Sequence, residues 1–280
     1  METNRRQLLC GLGGLAVGST VAGLVAPAFA AEAPKVERPA GRFAQVGGEF
    51  GWKPHKLAPK ESAPICYDAY WYKGYACSYA CFYGIVGVMG EKFGAPYNQF
   101  PFTMFEAFKG GISDWGTICG ALAGAASAFA LFWPRKERNA MVDELFRWYE
   151  QATLPMYNPG DAAQGVAGEL PTSVSESVLC HVSVSKWCYA NKIGAKSKKR
   201  SERCGRLSVD VCMKAIEIMN AKIDAGAEWK GAFAKQDAVA QCGDCHQQKG
   251  AETDWGKGVL NCTPCHDGRK ALTNKFQNHP

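Results

Sequence analysis

The sequence has few histidines, little excess of charge and, beyond its first thirty residues, no apolar run long enough to cross a bilayer. Its 280 residues include 5 His, with 32 Lys and Arg against 26 Asp and Glu. A net charge of +6 gives no argument for nucleic-acid binding, and we expect no integral membrane protein. Strand-like segments are short and isolated, which argues against a β-rich fold.

What the sequence has in excess is cysteine, with 13 residues in a chain long enough to fold without disulfide staples. Covalent haem, metal ligands, disulfides or a mixture of them can account for so many thiols. One of the thirteen, Cys10, lies in the N-terminal segment described next.

Residues 1–30 are typical of an export signal. Arg5 and Arg6 precede a glycine-rich apolar stretch that ends in an Ala-Phe-Ala cleavage site at residues 28–30. The paired arginines indicate the twin-arginine route, so we predict a periplasmic protein. That route carries proteins already folded around a cofactor, which favours a second centre beside any haem attached after export.

Composition divides the rest of the chain into three parts. Residues 31–64 are rich in Pro and Gly and predict an extended arm. Residues 65–225 predict a mainly α-helical, cysteine-rich core, because apolar residues recur at helical spacing. Residues 226–280 hold few large aliphatic side chains and predict a segment of little regular structure, which needs a bulky apolar group to fold around.

Within the core, the periodicity predicts five helices, over residues 79–93, 119–132, 137–151, 175–191 and 206–225. The basic run at residues 196–203 predicts a turn. Such a run is usually a solvated loop, although it could also dock an acidic redox partner.

Two C-x-x-C-H motifs carry the strongest chemical signal. They consist of Cys242, Cys245 and His246, and of Cys262, Cys265 and His266. In such a motif the two sulfurs form thioethers with a porphyrin and the histidine ligates its iron. We therefore predict two covalent c-type haems per chain, lying close together. A zinc ribbon is the competing interpretation, but it would not require both trailing histidines.

Each haem iron has a sixth position, for which His55, His181 and His279 remain. We choose His181 and His55 as the second ligands and His279 as the third choice, since it lies next to the chain end. A methionine is the remaining alternative for the sixth ligand of a haem iron. Two filled positions predict electron transfer rather than catalysis, whereas one open position predicts a multihaem reductase of a small oxyanion or peroxide.

Eight further cysteines are unassigned: Cys66, Cys77, Cys81, Cys119, Cys180, Cys188, Cys204 and Cys212. Disulfides, buried core thiols and a structural metal compete with an iron–sulfur cluster held by three or four of them.

At this point the chain resembles a known redox protein family, marked by a C-G-A-x-x-G signature and four cysteines. The signature stands at residues 119–124, with Cys81 before it and Cys180 and Cys188 after it. Together with the two C-x-x-C-H motifs, the pattern is similar to the split-Soret cytochromes c over about residues 40–280.

This resemblance implies a homodimeric periplasmic electron carrier with two stacked bis-histidine haems per subunit. It implies that each haem takes one axial histidine from the partner subunit, and that redox proteins act as electron donor and acceptor. It also implies an iron–sulfur centre, expected to be of the 2Fe–2S type. Cys81, Cys119, Cys180 and Cys188 match the four-cysteine signature and are the first candidates for its ligands.

Overall fold

A computed structural model describes residues 51–232, 236–252, 254 and 256–262 of the chain. The predicted signal and most of the predicted arm lie outside these residues, as do Cys265, His266 and His279. Within the described residues the protein is mainly α-helical, as predicted, and its one sheet has two short strands. None of the described helices combines the length and the apolar character that crossing a membrane would require.

Eight α-helices follow one another along the described chain. They are α1 (Pro59–Trp71), α2 (Ala76–Phe82), α3 (Val88–Phe93), α4 (Gly120–Phe132), α5 (Arg135–Gln151), α6 (Cys180–Asn191), α7 (Lys198–Ala225) and α8 (Asp237–His246). A π-helical turn, Tyr83–Gly87, joins α2 to α3. Between α5 and α6, strands β1 (Thr153–Leu154) and β2 (Ser173–Val174) pair antiparallel, with Thr153 opposite Val174.

Two helices extend into segments for which the sequence predicted no helix. Helix α1 starts at Pro59, inside the predicted arm, because proline suits the first helical turn and Ala63 is buried in the core. Helix α7 starts at Lys198, inside the predicted basic turn, because the Ser197 hydroxyl accepts a hydrogen bond from the Arg200 backbone N–H at 3.2 Å and caps the helix. The predicted irregular segment after residue 225 likewise contains a helix, α8.

Helix α4 lies in the middle of the core, and its most extensive contact is with α2. Two glycines of α4 permit this contact. A Cβ at Gly124 would lie 2.4 Å from the Ser78 carbonyl oxygen, and one at Gly120 would lie 2.4 Å from the Cys77 sulfur. Only glycine therefore allows the two helix backbones to approach this closely.

Helices α1 and α7 are held together by a buried polar network. The Tyr67 hydroxyl of α1 donates to the Glu202 carboxylate of α7 at 2.8 Å. Arg206 donates to the same carboxylate at 2.7 Å and to the carbonyl oxygens of Gly168 and Val166. Every charged group in this network therefore has a hydrogen-bonding partner, and removing one partner would leave a buried charge uncompensated.

We expect Gly124→Ala to lower the free energy of unfolding by about 1–3 kcal/mol, because the added methyl group forces α4 away from α2. Gly194→Ala is the matched control, since a Cβ there meets nothing within 4 Å. Urea unfolding followed by circular dichroism measures both. Equal stability of the two variants would contradict the packing role of Gly124.

Candidate functional site

The first C-x-x-C-H motif forms the last turns of α8. Cys242 and His246 stand four residues apart in this helix and so lie on one face, both partly buried. Helical geometry thus brings a thiol and an imidazole to the same side, which is the arrangement that covalent haem attachment requires. Cys245 belongs to the same helix, but its side chain is outside what the structure describes.

After α8 the chain turns back on itself. The Gly256 backbone N–H donates to the His246 carbonyl oxygen at 2.6 Å, and the Gln247 side-chain amide donates to the Gly258 carbonyl oxygen at 2.6 Å. The turn brings the Cys262 thiol within hydrogen-bonding reach of the Cys242 thiol. Burial raises the pKa of Cys262, and the neighbouring Cys242 raises it further. The first cysteines of the two motifs are therefore side by side.

Two buried carboxylates of α5 anchor the chain before α8. Glu144 accepts a hydrogen bond from the Ala232 backbone N–H at 3.0 Å, and Glu150 accepts one from the Gln236 side chain at 2.9 Å. Val239 of α8 is buried as well. These contacts fix the start of the first motif against the helical core.

His55 lies in the extended stretch before α1. Its ring stacks on Phe93 with the centroids 3.9 Å apart, and it meets the edge of Tyr97. Burial, with help from the charge of Lys53, lowers the pKa of His55. A lower pKa favours the neutral imidazole, which is the form that ligates iron.

His181 is in the first turn of α6, next to Cys180, and its side chain is exposed. Its backbone N–H donates to the Gly116 carbonyl oxygen at 3.0 Å. The imidazole thus stands on the surface immediately beside the thiols described next.

Four cysteines that belong to, or directly precede, four different helices lie in one region. We call them the outer cysteine group: Cys77, Cys119, Cys180 and Cys204. Burial raises the pKa of the Cys77 thiol, and the charges of the other three raise it further. The pKa of Cys180 is raised to about 12 by burial and then by Cys119 and Cys204. These mutual effects indicate that the four thiols share one poorly solvated environment.

Two backbone bonds hold the middle of this group in place. The Cys119 N–H donates to the Val178 carbonyl oxygen at 2.9 Å, and the Cys180 N–H donates to the Thr117 carbonyl oxygen at 2.6 Å. Cys119 directly precedes α4 and Cys180 begins α6, so both thiols stand at helix N-termini. The positive end of a helix dipole favours a thiolate at such a position.

Cys119 shows how these influences compete. Burial raises the pKa of its thiol, whereas the Tyr149 hydroxyl and the backbone N–H groups of Ala121 and Leu122 lower it. Burial dominates for the isolated thiol. The same donors would stabilise a negative charge once the sulfur is bound to a metal.

Three other cysteines form a separate inner cysteine group, Cys66, Cys81 and Cys212, and all are fully buried. The thiols of Cys66 and Cys81 lie 3.6 and 3.7 Å from the Ser208 carbonyl oxygen. Their contact with Cys212 lowers the pKa of that thiol, although burial opposes the change. Near Cys212, a Cβ at Gly84 would come within 2.7 Å of its sulfur, so this region is tightly packed.

Of the four cysteines that the signature suggested, Cys119 and Cys180 belong to the outer cysteine group, and Cys81 packs with the inner one. The charge of Cys119 nevertheless raises the pKa of the Cys81 thiol, after the larger effects of burial and of Cys212. Burial raises the pKa of the Cys188 thiol, and the charge of Cys204 raises it further. Cys77 and Cys204 were not among the first candidates. Two sequence features could have pointed to them: Gly120, which makes room for the Cys77 sulfur, and the basic residues beside Cys204.

The donor chemistry fits a thiolate-bound iron centre at the outer cysteine group, but the side-chain geometry is not yet that of a bound site. In the part of the chain that the structure describes, no three His, Cys, Asp or Glu side chains are arranged so that they could hold a metal ion. The thiols of the group would have to turn toward a common point.

Comparisons with known proteins identify the family of the chain. The family described as "Putative redox-active protein (C_GCAxxG_C_C)" matches residues 79–218. The split-Soret cytochrome c of Desulfovibrio desulfuricans (strain ATCC 27774 / DSM 6949 / MB) is 63% identical over 280 residues, which are 100% of both chains. A solved structure, described as a novel iron centre in the split-Soret cytochrome c from Desulfovibrio desulfuricans ATCC 27774, has 66% identity and a TM-score of 0.80, and the match covers 86% of this chain and 100% of that one.

A cysteine-rich helical core followed by C-x-x-C-H motifs defines a c-type cytochrome with an additional redox core. More narrowly, the chain belongs to the split-Soret cytochrome c family, as the resemblance of its motifs predicted.

Proposed function

We propose that the protein is a periplasmic electron carrier with two covalent haems per chain. The two C-x-x-C-H motifs carry this proposal, and the influence of Cys242 on the pKa of Cys262 indicates that their first cysteines lie near each other. Each of these cysteines begins its own C-x-x-C-H motif, so neighbouring sulfurs bring the edges of two porphyrins together. Closely spaced haems exchange electrons rapidly, and the exported setting expected from residues 1–30 is where haem of this type is attached.

The chain's own residues supply the attachment and the rigidity. Cys242 and His246 share one face of α8, and Glu144 and Glu150 tie the preceding segment to α5. When bound, haem supplies one-electron chemistry at iron. The anchored start of α8 and the hydrogen bond from Gly256 to the His246 carbonyl oxygen hold the backbone of His246, which would limit the structural change that accompanies electron transfer.

We further propose a homodimer in which His55 and His181 complete the iron coordination of the partner subunit. Support comes from the exposed imidazole of His181, which a second subunit can reach, and from the partly exposed imidazole of His55, whose lowered pKa favours the neutral form. With both sixth positions filled, the irons are low-spin and have no place for a substrate. The protein then exchanges electrons with a redox donor and acceptor rather than reducing a small molecule.

We expect His181→Ala and His55→Ala each to open one haem, because each removes one axial ligand. Loss of the ligand is detected by a high-spin signal in electron paramagnetic resonance (EPR) spectra and by carbon monoxide binding to the folded variant. Each variant should also weaken the dimer in sedimentation analysis.

His279→Ala is the matched control for these variants and should remain low-spin. Two low-spin haems in both His55→Ala and His181→Ala would contradict the assignment. Binding of carbon monoxide by the unmodified native protein would favour a reductase instead.

We also propose that the outer cysteine group holds an iron–sulfur centre, expected to be of the 2Fe–2S type. Two observations support this choice over the inner cysteine group. Cys119 and Cys180 stand at helix N-termini, and basic side chains surround Cys204; both features stabilise thiolates. Cys180 and Cys204 are also partly exposed, which gives iron a route in, whereas the inner thiols are fully buried.

We expect Cys204→Ser to abolish the iron–sulfur EPR signal and most of the acid-labile sulfide in anaerobically purified protein. Both haems should remain, since their motifs are elsewhere in the chain. Cys188→Ser is the matched control, because Cys188 lies beside Cys204 but outside the outer cysteine group. Loss of the signal in the control but not in Cys204→Ser would assign the centre to other cysteines.

A further inference from the structure

One buried cation beside the outer cysteine group has no carboxylate partner. Arg203 of α7 is 1% exposed, and no ion pair joins it to a carboxylate among the described residues. Its Nε atom is buried without any hydrogen-bond partner. A guanidinium without a counter-charge in a protein interior is strongly disfavoured, so an anion is expected next to it.

The contacts of Arg203 point to the thiols. One terminal nitrogen lies 3.9 Å from the Cys204 sulfur, and the other donates to the Ser183 hydroxyl at 2.9 Å. The Ser183 and Tyr149 hydroxyl oxygens are hydrogen-bonded to each other at 2.8 Å, and the Tyr149 hydroxyl also lowers the pKa of the Cys119 thiol. Arg203 thus reaches one cysteine of the outer group directly and another through two hydroxyls.

The nearby carboxylate of Asp210 does not serve as the missing partner. Its two oxygens accept hydrogen bonds from the backbone N–H groups of Met156 and Tyr157, each at 2.8 Å. Arg203 lowers the pKa of Asp210, but burial dominates and raises that pKa to about 6. The Trp187 ring, 5.9 Å from the guanidinium, contributes a π face but no charge.

Arg206, one turn further along α7, shows what a satisfied buried arginine looks like in this protein. It is equally buried, but Glu202 accepts from its Nε at 2.7 Å and two carbonyl oxygens accept from its terminal nitrogens. Arg203 has only a hydroxyl and a distant sulfur. The two residues differ in their counter-charge and not in their burial.

We propose that Arg203 is a positioning residue that compensates the negative charge of a metal–thiolate centre in the outer cysteine group and raises its reduction potential. The inference rests on the iron–sulfur centre proposed above. Reduction adds one negative charge to the centre, and a fixed cation nearby favours the more negative state. In return, the centre supplies the anion that the buried guanidinium lacks.

The first test is an anaerobic EPR-monitored redox titration of the complete holoprotein, comparing the native chain with Arg203→Met and Arg203→Lys. We expect Arg203→Met to weaken the preference for the reduced centre about tenfold, which is about 59 mV for one electron. Arg203→Lys should restore most of the shift, and the haem potentials should not move. An unchanged potential in Arg203→Met would overturn the proposal.

The second test separates charge compensation from a merely structural role. In cluster-free protein made by Cys204→Ser, the charge of Arg203 is uncompensated, so adding Arg203→Met should raise the melting temperature. In the cluster-loaded protein the same substitution should lower it. Arg206→Met is the control and should be destabilising in both backgrounds, because it removes the cationic partner of the buried Glu202 carboxylate.

The outcomes of these tests are distinguishable. A change of the same sign for Arg203→Met in both backgrounds would overturn the role of Arg203 while leaving the iron–sulfur centre intact. Native protein without non-haem iron and acid-labile sulfide would instead refute the proposed centre itself. If Arg203→Met does not accumulate in loaded form, Arg203→Gln takes its place, and a native potential in that uncharged variant would overturn the proposal.

Discussion

The close approach of α4 to α2 is the constraint on which the cysteine chemistry depends. Gly120 and Gly124 remove two side chains from this contact, and the space next to Gly120 is filled by the Cys77 sulfur. This packing also sets the position of Cys119, because Cys119 directly precedes the first residue of α4. The C-G-A-x-x-G signature is therefore a packing motif as well as a source of one thiol: its glycines bring a second cysteine to the first.

The core and the haem segment use different means to bring reactive side chains together. In the core, distant cysteines converge because several helix ends meet. In the haem segment, one helix and one chain reversal place Cys242 beside Cys262 over a short stretch. This difference fits two kinds of cofactor: a porphyrin that brings its own apolar surface, and a small centre that needs a preformed pocket.

Much of this could be predicted from the sequence, because the C-x-x-C-H spacing and the apolar periodicity are local features. Helix α4 was predicted nearly to the residue, since its composition is apolar throughout. The packing of Cys81 with Cys66 and Cys212 could not be predicted, because it depends on how α7 crosses α1 and α2. Arg203 lies in a basic run that is usually solvated, and only the tertiary structure reveals that its guanidinium is buried without a carboxylate.

The central claim is that each chain holds two adjacent haem irons and a separate iron centre beside Arg203. Iron-edge anomalous diffraction from anaerobically grown crystals of the holoprotein tests it most directly. The account predicts two strong iron peaks next to the histidines of the C-x-x-C-H motifs and further iron density among Cys77, Cys119, Cys180 and Cys204. Non-haem iron density among Cys66, Cys81 and Cys212, or iron peaks at the haems alone, would contradict it.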